Sequence, residues 1–213
     1  MSTMSPCHAV AEREATTRER LITVAEELMA MRGIDAVDLK EIQRAAGQRN
    51  RSAINYHFGD RNGLLDAIRD RHRGPINAER NRRLDELEAL NAASVPNLID
   101  ALIRPIARGL DNRSGRNYLI IVGVGAAHLG ARRLMAVDLI HVDSMHRWNA
   151  LFAANLAGSR AQRERRVGQA LLTSAVLLGD VARDVNDNVI TERQGRARVD
   201  DICRFVLRAV AAT

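Results

Sequence analysis

The residues best suited to chemistry lie between Lys40 and Arg61. Arg49, Asn50, Arg51 and Ser52 come first, then Asn55, Tyr56 and His57 at helical spacing, with Lys40 upstream and Arg61 downstream. Arginine can read guanine edges through two parallel hydrogen bonds, and asparagine can read adenine the same way. Lys40, Tyr56, His57 and Arg61 suit phosphate oxygens, which set register without reading sequence. Between Arg44 and Arg61 there are four arginines and one acid, Asp60. The alternatives are plain: an exposed arginine also solvates a surface, and His57 is equally suited to packing. The net charge of +6 does not decide the matter. Residues 1–73 hold 12 basic and 11 acidic side chains, so the case for nucleic acid rests on the local cluster.

Catalytic chemistry has little support, and no enzyme activity, cofactor or metal is expected. Gly123-Val124-Gly125 starts like a dinucleotide fingerprint, but His128 stands at the third glycine position and no strand precedes it. Helix packing explains these glycines better. His128, His141 and His146 lack the i, i+4 spacing of a helical metal pair. His141 lies in the stripe Leu134, Val137, His141, Met145, Trp148, Phe152. There it is either a satisfied core group or a polar anchor in a ligand cavity. Arg104 and Arg108 form an i, i+4 pair beside Pro105, on a solvated face or facing an acidic ligand. A ligand cavity is expected among 102–110, 118–129 and 134–152. Arg104, Ile121, Gly125, His128, His141, Met145 and Trp148 are its candidate wall.

The elements that must position these groups all read as helices. Thr16-x-x-Glu19 has the form of a capping box ahead of Leu21, Val24, Ala25, Leu28 and Met29, and the preceding Met1–Val10 is expected to be a loose arm. Gly33 ends that helix. Asp38-x-x-Glu41 starts a second, which Gly47 breaks, and a third covers about Asn50 to His57. Asp60 caps a fourth, with Leu64, Leu65 and Ile68 inward, and Gly74-Pro75 is expected to interrupt it. Further helices are predicted at 76–90, 96–110, 116–129, 131–156, 161–185 and 192–211. Leu119–Leu129 is apolar nearly all round and is expected to be buried on every side. Pro105 should kink its helix. Val167, Leu171, Ser174, Leu178 and Val181 form a narrow seam, and Val199, Ile202, Val206 and Ala209 form another. With Gly168, Ala175 and Gly179 allowing close approach, both seams read as a dimer interface.

At 213 residues the chain is long enough for a real core, and 46% hydrophobic with 27% charged is a globular composition. No apolar run approaches the roughly 18–20 residues of a membrane span. The N-terminus lacks the pattern of a secretory signal. Cys7 and Cys203 are the two cysteines, so a disulfide framework is not expected and a reducing cytoplasm fits. Aromatics are 3%, and no stretch alternates with period two, which argues against strands.

A short helix running into Ala46-Gly47, a turn, a second short helix ending in Tyr56-His57-Phe58, then Arg61 with Leu64-Leu65 make a helix-turn-helix layout. Together with the long first helix, Thr17 to Ile68 resembles the TetR family of one-component transcriptional regulators. Three features depart from the family pattern. Gln48-Arg49-Asn50-Arg51-Ser52 adds one residue before Tyr56. Asp38 stands where threonine commonly touches a phosphate, a role an acid cannot fill. Asn62 stands where an acid is common. The resemblance implies an all-α homodimer, with a DNA-binding domain at about 13–73 and a helical effector-binding and dimerisation domain at 75–213. It implies binding to double-stranded DNA at an inverted repeat. It further implies repression relieved by a small hydrophobic or amphipathic effector, with activation as the alternative. A ligand-independent DNA-binding or architectural protein with a filled C-terminal core is the competing class.

Overall fold

The computed structural model describes the backbone of residues 6–48, 52–134 and 143–211, and the side chains of 15–48, 52–131 and 144–211. Every regular element among the described residues is helical. The order is α1 (Pro6–Arg32), α2 (Leu39–Ala45), α3 (Ala53–Phe58), α4 (Arg61–Ala89), α5 (Val95–Ala107), a 3-10 turn at Arg108–Asp111, α6 (Arg113–Leu134), α7 (Asp143–Ala154), α8 (Arg160–Asn186) and α9 (Glu192–Ala211). The chain divides into two compact units, Met1–Arg71 and His72–Thr213.

The first unit is built from an amphipathic α1 and the short α2 and α3. Leu21, Ile22, Ala25 and Met29 of α1 are buried with Val37, Ile42, Ala46, Ile54, Leu64 and Ile68. A buried ion pair lies within it. Glu26 is 1% exposed and accepts from Arg71 Nη1 at 3.1 Å. Arg71 Nη2 also donates to Glu19 Oε2 at 2.5 Å and to the Glu19 carbonyl at 3.1 Å. A carboxylate that deep in a core is tolerable only with such a partner.

Glycine does specific work at the end of α3. Gly59 has φ +77° and donates its N–H to the Asn55 carbonyl at 3.0 Å. Asp60 then starts α4, its Oδ1 accepting from Gly63 N at 2.9 Å. A Cβ on Gly63 would lie 1.9 Å from the Phe58 carbonyl oxygen, so the first turn of α4 packs directly on the backbone of α3.

In the second unit, α8 packs chiefly against α6 and α9, and α9 also packs against α5. The α6–α8 crossing is close because both sides are small. A Cβ on Gly123 would lie 2.9 Å from the Ala175 carbonyl, and one on Gly179 would lie 3.0 Å from the Leu119 carbonyl. Trp148 is fully buried, stacks on Phe152 with centroids 4.7 Å apart, and donates Nε1–H to the Leu98 carbonyl at 2.7 Å. Arg116 binds the Leu110 carbonyl at 3.1 Å, Asn186 Oδ1 at 2.8 Å and Glu192 Oε1 at 2.9 Å, tying α6 to α8 and α9.

Several expectations are corrected. The first helix begins at Pro6, not near Thr16. Proline loses nothing at a helix start, and Ala9, Ala11, Glu12, Arg13, Glu14 and Ala15 favour helix over arm. Gly74-Pro75 does not interrupt α4, which continues through Pro75 to Ala89. Proline removes one hydrogen bond of a 29-residue helix, and the remaining ladder persists. The third helix begins at Ala53 rather than near Asn50. Leu119–Leu129 is not buried on all sides: Leu119, Ile120, Ile121 and Ala126 are buried, but Val124 is 37% exposed and Ala127 and His128 face outward.

The two seams are also reassigned. Val167, Ser174, Leu178, Val181, Val199, Ile202 and Val206 are all buried within one chain, and Leu171 is half-buried. Periodicity reveals which face of a helix seeks cover, not whether the cover comes from the same chain. Here α6, α5 and the partner seam supply it. Helix 131–156 falls partly outside the described residues. Its start coincides with a non-helical Gly130 (φ 71°, ψ 162°) inside α6.

Gly63→Ala is expected to destabilise the protein by about 1–3 kcal/mol, since the new methyl must push α4 off the α3 backbone. Urea unfolding measures this. An unchanged midpoint would mean that α4 does not pack so closely on α3.

Candidate nucleic-acid interface

The two short helices are held by buried faces (Ile42 and Gln43 on α2, Ala53 and Ile54 on α3) and by bonds at their ends. Asp38 has an extended backbone (φ −77°, ψ 139°), and its side chain accepts from Lys40 N at 2.8 Å. At the other end of α2, Gly47 (φ +70°) donates to the Arg44 carbonyl at 3.0 Å and Gln48 N to the Gln43 carbonyl at 2.9 Å. Those two bonds form a Schellman motif, which needs the left-handed conformation that glycine adopts freely.

Of the α3 residues, Ala53 is 5% and Ile54 1% exposed, so this face is sealed into the unit. Asn55 and Ser52 are exposed, and Tyr56 is 69% exposed. Asn55 and Tyr56 occupy the face of α3 opposite Ala53 and Ile54, and Ser52 is its N-cap. Phe58 is only half-buried. The Arg18 guanidinium lies over its ring, 5.4 Å from the centroid, and links α1 to α3. His57 is half-buried and makes an edge contact with Tyr56 at 5.0 Å and a tilted one with Phe58 at 6.0 Å. On α2, Lys40 and Arg44 are exposed. Arg49, Asn50 and Arg51 lie outside the described residues.

Arg61 has a different task from the one its charge suggests. Its Nη1 donates to the Ile34 carbonyl and its Nη2 to the Val37 carbonyl, each at 2.6 Å. These carbonyls belong to the turn between α1 and α2, so Arg61 locks that turn to the start of α4. Sequence reasoning read Arg61 as a phosphate contact because backbone acceptors carry no sequence signature. The same reasoning missed Gly63, whose significance appears only when the Phe58 carbonyl is placed against it.

An exposed polar face on a short helix, presented by a capped turn after another short helix, is a helix-turn-helix. Residues 21–68 match a family model described as bacterial regulatory proteins, tetR family. These residues are a TetR-family DNA-binding domain. No curated protein matches the chain. The matched span runs from Leu21 of α1 to Ile68 of α4, covering every residue of the helix-turn-helix. The protein is accordingly a DNA-binding transcriptional regulator, and α3 is the second helix of its helix-turn-helix.

The proposed ligand-wall residues fall in the second unit and do not share one environment. Arg104 is ion-paired with Asp100 at 3.1 Å and Asp200 at 2.9 Å, which joins α5 to α9 and satisfies its charge. Ile121 is buried, Gly125 and Met145 are half-buried, and His128 is exposed. Trp148 has its N–H satisfied inside the core. His141 lies outside the described residues. No helix is long and apolar enough to cross a membrane, and no metal-binding group of three or more His, Cys, Asp or Glu is found, both among the described residues.

Arg61→Ala in this TetR-type domain is expected to lower stability by about 1.5–3 kcal/mol, the range for hydrogen bonds to a charged donor. Lys40→Ala should leave stability unchanged and reduce the slope of log affinity against log salt by about 1. If Arg61→Ala is fully stable and loses only DNA affinity, Arg61 is a phosphate contact after all.

Proposed function

We propose that the protein binds an inverted-repeat operator as a homodimer in the cytoplasm, and that a small effector held in the second unit releases it. The observation that carries the DNA part is the outward face of α3, where Asn55 and Tyr56 are exposed beside a basic approach from Lys40 and Arg44. Asn55 would read a base edge, with Arg49 and Arg51 as further base readers; Asn50, Ser52, Tyr56 and His57 would fix position on the sugar-phosphate backbone. Arg61 acts by holding the turn.

The support for a dimer is apolar surface left on the last two helices after the chain has covered its own seams. Val176 of α8 is 36% exposed and Phe205 of α9 is 57% exposed. A two-fold interface through these outward faces would bury both and set the spacing of two recognition helices on a palindrome. The effector part follows from the family, in which the second unit is where a ligand would bias one of two states. Domain limits of about 13–73 and 75–213 serve this division of labour.

Selection on random duplex DNA tests the reading directly. It should enrich a palindromic site, with affinity falling steeply as salt rises. Asn55→Ala should lose about 1–3 kcal/mol of discrimination at one position per half-site while staying folded. Sedimentation should show a dimer at micromolar concentration, and Val176→Asp with Phe205→Asp should give a folded monomer. Enrichment of no palindrome, or a monomeric native chain, would sink the proposal.

A further inference from the structure

We infer that Arg80 is the anchor of a binding site in the second unit for an apolar organic acid, whose carboxylate pairs with the guanidinium that the chain itself leaves without a counter-ion. This deepens the effector reading above and depends on it only for the consequence at DNA.

Arg80 lies on the α4 stretch that belongs to the second unit and is 4% exposed. Its partners are few, neutral and long. Nη1 donates to Ser144 Oγ at 3.2 Å, and Nη2 donates to the Leu102 carbonyl at 3.4 Å. Nε is buried and has no acceptor. No carboxylate pairs with Arg80 among the described residues. The other deeply placed arginine of this unit is unlike it. Arg116, 9% exposed, binds Glu192, Asn186 and a carbonyl at 2.8–3.1 Å. Burial draws the Arg80 pKa down to about 10, so the group is still cationic at neutral pH. A buried cation with no counter-ion is among the most costly groups a core can hold.

The hydrogen bonds around it fix which groups remain open. Because Arg80 donates to Ser144 Oγ, the Ser144 hydroxyl proton must go elsewhere, and it goes to Asn77 Oδ1 at 2.9 Å. That orients the Asn77 amide with its oxygen on Ser144 and leaves its NH₂ as a donor. The groups left unused are donors: Arg80 Nε–H, one hydrogen on each of Nη1 and Nη2, and the Asn77 amide. Nε and Nη2 lie along one edge of the guanidinium, the edge that grips a carboxylate with two parallel bonds. An acceptor-only, negatively charged group is the chemical complement of this set. Leu102, whose carbonyl touches Arg80, and Leu84, one turn along α4, are buried apolar neighbours. The body attached to the carboxylate is accordingly apolar.

The test uses the 213-residue chain and matched pairs of straight-chain probes, carboxylates of six to twelve carbons against the alcohols of equal length. Calorimetry and thermal unfolding give affinity and midpoint. At least one carboxylate should bind tenfold or more tighter than its alcohol and raise the midpoint. Arg80→Met should abolish that preference while unfolding at or above the wild-type midpoint, because it removes an uncompensated charge. Arg80→Lys should retain part of the preference, lacking the two-pronged edge. Equal affinity across every matched pair would overturn the proposal, and this readout stands on the wild-type protein even if a variant fails to fold. A clear fall in the Arg80→Met midpoint with the preference intact would also overturn it and make Arg80 a structural tie between helices. Operator release is measured separately. Carboxylate preference without release keeps the site and removes the effector reading, whereas operator release by the alcohol probes with no carboxylate preference removes the site and keeps the effector reading.

Discussion

Helices of seven and six residues cannot hold themselves together. In elements that short, most backbone N–H and C=O groups lie within one turn of an end and have no partner inside the helix. The DNA-binding unit depends on how those groups are satisfied. Asp38 takes one end of α2, the Gly47 turn takes the other, and Gly59 returns to Asn55. Arg61 then reaches the carbonyls of Ile34 and Val37 and holds the turn ahead of α2. The exposed face of α3 has a defined direction because each of these joints is closed. Burial of Ile54 and Ala53 selects which face of α3 turns outward, and the closed joints hold the helix in that setting.

The second unit is organised differently. Its helices are long enough to satisfy their own ladders, so side-chain fit decides their arrangement. Gly123 and Gly179 bring α6 and α8 backbone to backbone, which places the rest of both helices in extensive contact. Charged groups tie the periphery: Arg147 to Asp85 and Glu88, Arg104 to Asp100 and Asp200, Arg116 to Glu192. Each is balanced. Cys203, beside Asp100, has its thiol pushed up to about 12 by burial first and by that neighbouring carboxyl, so it is an inert packing group at neutral pH. Arg80 is the departure from this pattern, a charge in the core with a donor unused.

Much of the fold was legible in the chain itself. Apolar residues at helical spacing mark the helices and their inward faces. Gly33 and Gly47 do adopt the left-handed conformation expected of helix ends, with φ +94° and +70°. The polar face of α3 follows from the same wheel that buries Ile54. Such features are local: they depend on residues three or four apart, and the backbone geometry of one helix converts spacing into direction.

What only the tertiary structure decided involves partners far apart in sequence. A narrow apolar seam looks the same whether a second chain or the same chain covers it, and in α8 and α9 the same chain does. A basic residue looks the same whether it faces a phosphate or a carbonyl, and Arg61 faces carbonyls 27 and 24 residues away. Arg104 looked open until Asp200 was placed beside it, and Arg80 gave no signal at all. Charge and periodicity state what a side chain requires. The packing of distant helices decides which requirements the chain meets internally and which it leaves for DNA, a second copy or a ligand.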